Sequence, residues 1–264
     1  YANLARHLAN ARGWTYKRFA TSELTKLGAG AFLAVAQGNE NDSASIVRLK
    51  YRPGKKSVRA DLSLVGKGII FDTGGTNLKP FSSMLDMHGD MQGSAVAIGK
   101  PIQTIHTDAE GRMALADTLV LASRDKPKLL MDFATLTGTC ISAVTNRYSG
   151  VFTNRAALHP RLKRTGQHSG ERVWPFPIGD EFLEELKCHS ADLRQCSPSA
   201  AGDHILAASF LAEFVENNTP WVHMDLSASD RDEGLAHIPS KFTGFGVRYT
   251  MSVILDDNLF KATI

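Results

Sequence analysis

The sequence predicts an α/β fold: a mostly parallel mixed sheet flanked by helices on both faces. Three observations carry this expectation. Apolar runs of strand length occur at 61–70, 129–133 and 221–226. They alternate with helix-period segments at 84–99 and 202–216, the pattern of crossover units around a parallel sheet. The first run leads into Asp72-Thr73-Gly74-Gly75, and an acid followed by a glycine turn at a strand end lies at a sheet rim, where α/β ligands bind.

In chain order, residues 2–12 predict a helix with Leu4, Leu8 and Ala11 on one stripe. A short second helix follows Thr21-Ser22, with Ser22 as its cap and Gly28 and Gly30 as its end. Ala31–Ala36 and Ser45–Tyr51 read as strands around the polar loop GNENDS. The strand from Asp61 to Ile70 is interrupted at Gly66-Lys67-Gly68 and recovers as Ile69-Ile70-Phe71. Met84–Gly99 is a helix with Met87, Met91, Ala95 and Ile98 on one side. Leu129–Phe133 is a buried strand, and Gly202–Glu216 a helix capped by Asp203. Trp221–Leu226 and Phe245–Val253 complete the strands. One junction is irregular: the helix ending AVAIG meets Lys100-Pro101-Ile102 with almost no connection, whereas parallel strands need a crossover of about a dozen residues.

At 264 residues and 43% hydrophobic content the chain can build one sizeable core. A net charge of +3 gives no strong pull toward nucleic acid or an anionic membrane. No apolar run is long enough to span a bilayer. Cys140, Cys188 and Cys196 lack metal-type spacing, and their odd number argues against a disulfide framework, so a reducing, cytoplasmic setting is expected.

The chemistry concentrates in acids and bases. Lys67 lies inside an apolar strand, where a charged amine is costly unless it is paired, neutral or bound. Asp72 and Lys79 flank the Gly-Gly turn, and Asp86 and Asp90 are one helical turn apart. In Thr107-Asp108-Ala109-Glu110-Gly111-Arg112, an extended backbone would point both carboxylates the same way, and Gly111 would turn the chain into the helix carrying Arg112. Carboxylates gathered in one site repel one another unless cations neutralise them. Asp72, Asp90, Asp108 and Glu110 supply enough oxygens for a pair of divalent ions, about 3.5–4 Å apart when carboxylates are shared. An uncharged Lys67 amine could complete a coordination shell, leaving Lys79 and Arg112 for developing oxyanion charge. Plainer roles suit the remainder. Asp86 stabilises a helix start, Asp117 and Asp132 are structural or solvated, His106 is a hydrogen-bonded strand-end histidine, and His223 with Asp225 only imitates a metal pair.

The blocks VGKGIIFDTGGTNLKP, GDMQGSA, TDAEGR and ATLTG, in this order, resemble the leucyl (cytosol) aminopeptidase family of dinuclear metallopeptidases. The resemblance implies the catalytic domain of that family over residues 1–264, and two divalent metal ions, zinc or manganese, with magnesium a third choice. Asp72 and Glu110 would bridge the metals, Asp108 would ligate one, and Lys67 and Asp90 the other. Lys79 would polarise the scissile carbonyl, and Arg112 would hold a bicarbonate ion as general base. The Leu136 carbonyl would meet the reacting centre, and Met87, Thr135 and Gly138 would line an apolar pocket. The implied substrate is a peptide with a free N-terminus, and the implied assembly a cytoplasmic homo-hexamer. The family has Asn where this chain has His106, an N-terminal domain that this chain does not include, and several dozen more residues between Gly99 and Pro101.

Two other readings of these residues are a sugar kinase, through the phosphate-hairpin look of DTGGTNLK, and an aspartic protease, through FDTG. The first lacks a second phosphate loop and the second lacks a second triad. A catalytically impaired homologue acting as a scaffold or binding subunit is the non-enzymatic alternative.

Overall fold

The structure, a computed structural model, describes residues 1–39, 44–52, 54, 59–85, 87, 90, 102–199 and 201–261. Its elements in chain order are α1 (Ala2–Arg12), β1 (Thr15–Ala20), α2 (Thr21–Leu27), α3 (Gly30–Ala36), β2 (Ser45–Lys50), β3 (Leu62–Gly66), α4 (Phe81–Met84), β4 (Ile102–Gln103), α5 (Glu110–Arg124), β5 (Leu129–Ala134), α6 (Gly138–Val144), β6 (Ser149–Thr153), α7 (His159–Ser169), β7 (Val173–Pro175), α8 (Asp180–Leu183), β8 (Leu193–Arg194), α9 (Asp203–Ala212), β9 (Trp221–Asp225) and α10 (Val247–Ser252). The main sheet has the order β3-β5-β9-β6-β7. All its neighbours are parallel except β6 and β9, so the sheet is mixed and mostly parallel as expected.

The central strands alternate between two apolar cores, one per face. Leu130, Ala134 and Trp221 join Val65, Leu115, Leu119, Leu206 and Phe210 on the side of α5 and α9. Leu129, Met131, Val222 and Met224 join Leu162, Tyr249 and Val253 on the side of α7 and α10. This double burial explains why β5 and β9 read as continuous apolar runs. Between them lies a buried polar knot: Asp132 accepts from Trp221 Nε1 at 2.6 Å and pairs with His223 Nδ1 at 2.6 Å. Of the two roles open to Asp117 and Asp132, structural or solvated, the buried structural one holds, since Asp117 also is buried and accepts the Phe32 N–H at 2.8 Å.

Several expectations are corrected. Ala31–Ala36 is the helix α3, not a strand: its short apolar run packs beside α5 and its backbone is anchored by Asp117. On α1 the buried residues are Ala5 and Ala9, while Leu4 and Leu8 are exposed, because the small side chains let the helix lie close to its neighbours. No side chain caps α2, so Ser22 has no such role, and Gly30 opens α3 rather than closing α2. The expected strand β2 forms, but it pairs antiparallel with β1 in a separate ribbon. β3 stops at Gly66, and Ile70 and Phe71 are exposed on a loop. The helix expected at Met84–Gly99 falls outside the described residues apart from Met84, Leu85, Met87 and Asp90, as do Asp86 and the Gly99–Pro101 junction.

Phe245–Val253 is mostly the helix α10 rather than a strand. Gly246 takes φ 102, a left-handed conformation suited to glycine, and a Cβ there would lie 2.9 Å from the Phe133 ring. The buried Glu171 then accepts the Gly246 and Tyr249 N–H groups, both at 2.8 Å, at the positive end of the helix. Glu171→Ala would leave these donors buried and unpaired, and a loss of roughly 2–3 kcal/mol is expected in denaturant titrations. The buried His223 provides a pH readout. Burial pulls its imidazole down, but the charge and hydrogen bond of Asp132 outweigh this and hold it above the ordinary 6.5. The folded protein therefore binds the extra proton. That stability is full below pH 6.5 and is lost as pH rises through the raised value. His223→Gln should flatten this decline when unfolding free energy is measured across pH.

Candidate metal centre

Four segments deliver the charged groups to the C-terminal rim of β3 and β5. Lys67 follows β3, and its N–H donates to Phe133 O at 3.0 Å, carrying the strand pairing one residue further. Its side chain, 4% exposed, donates to Asp90 Oδ1 at 2.6 Å and to Thr135 O at 3.1 Å, with Glu110 Oε1 at 3.4 Å. Thr135 Oγ1 donates to the same Asp90 oxygen at 2.7 Å. Asp72 accepts the Gly74 N–H at 2.9 Å and meets Lys79 Nζ at 2.9 Å, and the same ammonium contacts Asp108. Asp72, Asp108 and Glu110 each offer a carboxylate oxygen, all within 4.8 Å of one another.

The TDAEGR segment is not extended, which corrects the sequence reading. Residues Thr107–Ala109 form a 3-10 turn and Glu110 begins α5. The carboxylates converge through the turn geometry and through Thr107. Its hydroxyl donates to Gly74 O at 2.5 Å and accepts the Asn77 N–H at 2.7 Å, while the Thr107 N–H donates to Asn77 Oδ1 at 2.9 Å. This clasp locks the DTGGTN turn to TDAEGR. Sequence reading missed it because Thr107 and Asn77 carry no charge. Gly111 also has a different role from the one expected. It lies inside the first turn of α5, where a Cβ would meet Lys67 Cε at 2.6 Å and Nζ at 2.9 Å.

The electrostatics suit cations. Burial raises Glu110, Lys67 pulls it back, and Asp72 and Asp90 push it up again, to about 7. Burial likewise raises Asp90 against the pull of Lys67 and the Thr135 hydroxyl. Lys67 and Lys79 are drawn down by burial, but the surrounding carboxylates outweigh this and hold both above the usual lysine value. Within the chain's own charges Lys67 is thus an ammonium, not the neutral amine that metal ligation requires. Asp90 Oδ2 and Glu110 Oε2 are buried with no hydrogen-bond partner among the described residues. Buried, unpartnered carboxylate oxygens beside a three-acid cluster are hard donors of the kind divalent ions take, so the residues fit a metal.

Other expected site residues are arranged as follows. Thr135 belongs to the Lys67–Asp90 network. Asp225, named in the sequence only as half of a false metal pair, holds the following turn: it accepts from Leu136 N at 3.2 Å, Thr137 N at 3.4 Å and Thr137 Oγ1 at 2.6 Å. Gly138 is exposed with open space around it, and Met87 is half-buried. His106 is exposed, and its N–H donates to Gln195 Oε1 at 3.3 Å. Arg112 does not face a free anion seat. Its terminal nitrogens Nη1 and Nη2 donate to Asp203 Oδ1 at 2.9 Å and Oδ2 at 2.6 Å, so the bicarbonate implied there does not fit. Asp203 is therefore no helix cap, since Gly202 fills that position and no side chain caps α9. Cys140 is no nucleophile, because burial and Asp225 push its thiol up to about 12.

The acid cluster, the two lysines and the mixed sheet together define a class, an α/β protein with a carboxylate cluster that could hold a metal ion. The catalytic-domain profile of the cytosol aminopeptidase family matches residues 1–101 and 96–251, and the chain belongs to that family. Proteins named "Probable cytosol aminopeptidase" are similar to it. The one from Rhodopseudomonas palustris (strain BisA53) is 35% identical over 85% of this chain and 53% of its own length. That from Prochlorococcus marinus (strain MIT 9211) is 35% identical over 94% of this chain and 58% of its own. That from Syntrophotalea carbinolica is 36% identical over 96% and 59%. The chain thus spans between 53% and 59% of the length of these relatives. Among the described residues no helix is long and apolar enough to cross a membrane.

Gly111→Ala offers a test of the close approach. The methyl group would force Lys67 aside at an overpacking cost of about 1–3 kcal/mol. A lower thermal midpoint, together with weaker manganese uptake in equilibrium dialysis, is the expected result.

Proposed function

We propose that this chain is the catalytic domain of a metal-dependent aminopeptidase that removes the N-terminal residue from peptides. The observation that carries the reading is the convergence of Asp72, Asp108 and Glu110 within 4.8 Å, with Lys67 and Asp90 at their side. Asp72, Asp108, Glu110, Asp90 and Lys67 would hold two divalent ions. Zinc and manganese both suit such a mixed oxygen and amine set, with magnesium third. When bound, the ions would polarise a carbonyl and make a water nucleophilic near neutral pH.

The chain's own groups divide the remaining work. Lys79 sits at the edge of the cluster, 14% exposed, with its ammonium against Asp72 and Asp108. Its proposed role is to donate to the scissile carbonyl oxygen as negative charge develops there. Lys67 can act as a metal ligand only after losing its proton, so metal uptake should release protons. Thr135 and Asp225 hold the 134–138 turn; the proposed roles are the Leu136 carbonyl at the reacting centre, and Met87, Thr135 and Gly138 as the lining of an apolar pocket for the substrate's first side chain. The free α-amine of the peptide would set the register and explain removal of one residue at a time.

The same reading carries a cytoplasmic setting, consistent with the relatives' names and with the free Cys140, Cys188 and Cys196. It also carries a homo-hexamer and a single catalytic domain over residues 1–264. An internal segment present in relatives is part of the reading. The alignments to two relatives run over 293 and 295 positions, more than the 264 residues of this chain. The family match also falls into two pieces that meet at 96–101. Neither the kinase, the aspartic-protease nor the scaffold alternative has support in these observations.

The purified protein should hydrolyse leucine p-nitroanilide, lose that activity to 1,10-phenanthroline, and regain it with manganese or zinc. N-acetyl-leucine p-nitroanilide should remain intact. Equal cleavage of the blocked substrate, or indifference to chelation, would overturn the proposal. Lys79→Ala should lower kcat roughly 10²–10³-fold with metal content unchanged, as expected for loss of one oxyanion donor.

A further inference from the structure

Arg112 is the third residue of α5, two positions after Glu110, and it is 2% exposed. Asp203 is the first residue of α9 and is partly exposed. Their side chains meet fork to fork, at 2.9 and 2.6 Å, the strongest arrangement available to a guanidinium and a carboxylate. Arg112 Nη1 also reaches Gln195 O at 3.4 Å, and the Gln195 side chain ties this corner to the acid turn by donating to Ala109 O at 2.8 Å. Arg112 Nε is buried without a hydrogen-bond partner among the described residues.

Small planar anions such as formate and bicarbonate present the same pair of oxygens on one carbon. A carboxylate held by the fold competes with them at a local concentration that a millimolar solute does not reach. Displacing Asp203 would also strand its charge in a half-buried position.

We infer that Asp203 is a built-in substitute for a free planar anion on Arg112, a positioning residue that keeps the guanidinium saturated and makes the protein independent of dissolved bicarbonate. The acid at residue 203 follows a left-handed Gly202 and caps no helix, so its carboxylate is free to turn to Arg112. Held in this way, Arg112 also pins the start of α5, and with it Glu110, against the start of α9.

The inference rests on the aminopeptidase reading only where turnover is the readout, so the first arm needs none. Carbon-13 formate is titrated by NMR into the metal-free protein and into Asp203→Ala. The wild type should leave the formate line unchanged, and the variant should broaden it saturably. Wild-type binding as tight as that of the variant would overturn the inference. In the second arm, leucine p-nitroanilide turnover is followed in carbon-dioxide-free buffer. The wild type should not respond to added bicarbonate. Asp203→Ala should lose roughly 10–100-fold, as for other residues that orient a site group, and recover with formate or bicarbonate but not chloride. A wild type activated by bicarbonate, or a variant that no planar anion rescues, would count against it. Asp203→Asn keeps the side-chain shape and serves for the same two titrations if the alanine variant does not fold. Weaker saturation of Arg112 should let it bind formate as well, and its failure to do so would again overturn the inference.

Discussion

The structure turns on like charges held together at the rim of a buried sheet. Asp72, Asp90, Asp108 and Glu110 share one corner, and each is partly or wholly out of water. Such a group repels itself unless positive charge is interleaved, and Lys67 and Lys79 supply it from opposite sides. Burial outweighs the pull of Lys67 and holds Glu110 and Asp90 above the ordinary carboxylate values, and four acids face only two lysines. A group of acids left short of positive charge is matched to divalent cations, so one imbalance accounts both for the lysine in an apolar strand and for the centre's proposed chemistry.

Holding that corner together requires close approach, and small residues permit it. Gly111 lets the Lys67 side chain pass against α5, and Gly74, at φ 87, lets its turn approach Asp108 and the Asn77 carbonyl. Thr107 and Asn77 then fasten two loops that are 30 residues apart in the chain. The supporting shell is as specific as the acids: Asp225 orients the turn after β5, and Asp203 and Gln195 fix Arg112. A site built on strand ends and helix starts is held by the main cores on either face of the sheet, which limits how far any one ligand can drift.

Much of this was legible in the residues. The acid and lysine set, the β5 and β9 strands and the parallel character of the sheet were all expected from apolar run length and from the TDAEGR and DTGGTNLKP blocks. The errors cluster where a short apolar stretch has no period of its own. Ala31–Ala36 and Phe245–Val253 are too brief for alternation to be told from a helical stripe. Their state was decided by distant partners, Asp117 for the first and Glu171 with Gly246 for the second. The TDAEGR acids converge although the backbone is turned rather than extended, so the right residues were named for the wrong geometric reason.

By itself, then, the sequence determined which charges this protein carries and roughly where each stands along a strand or turn. Those features are local, set by residue type and spacing. Only the tertiary structure decided which charges neutralise which. It pairs Arg112 with Asp203 across 91 residues, and Lys67 with Asp90 across 23. Electrostatic partnership depends on distance and burial in three dimensions, and neither can be read from separation along the chain.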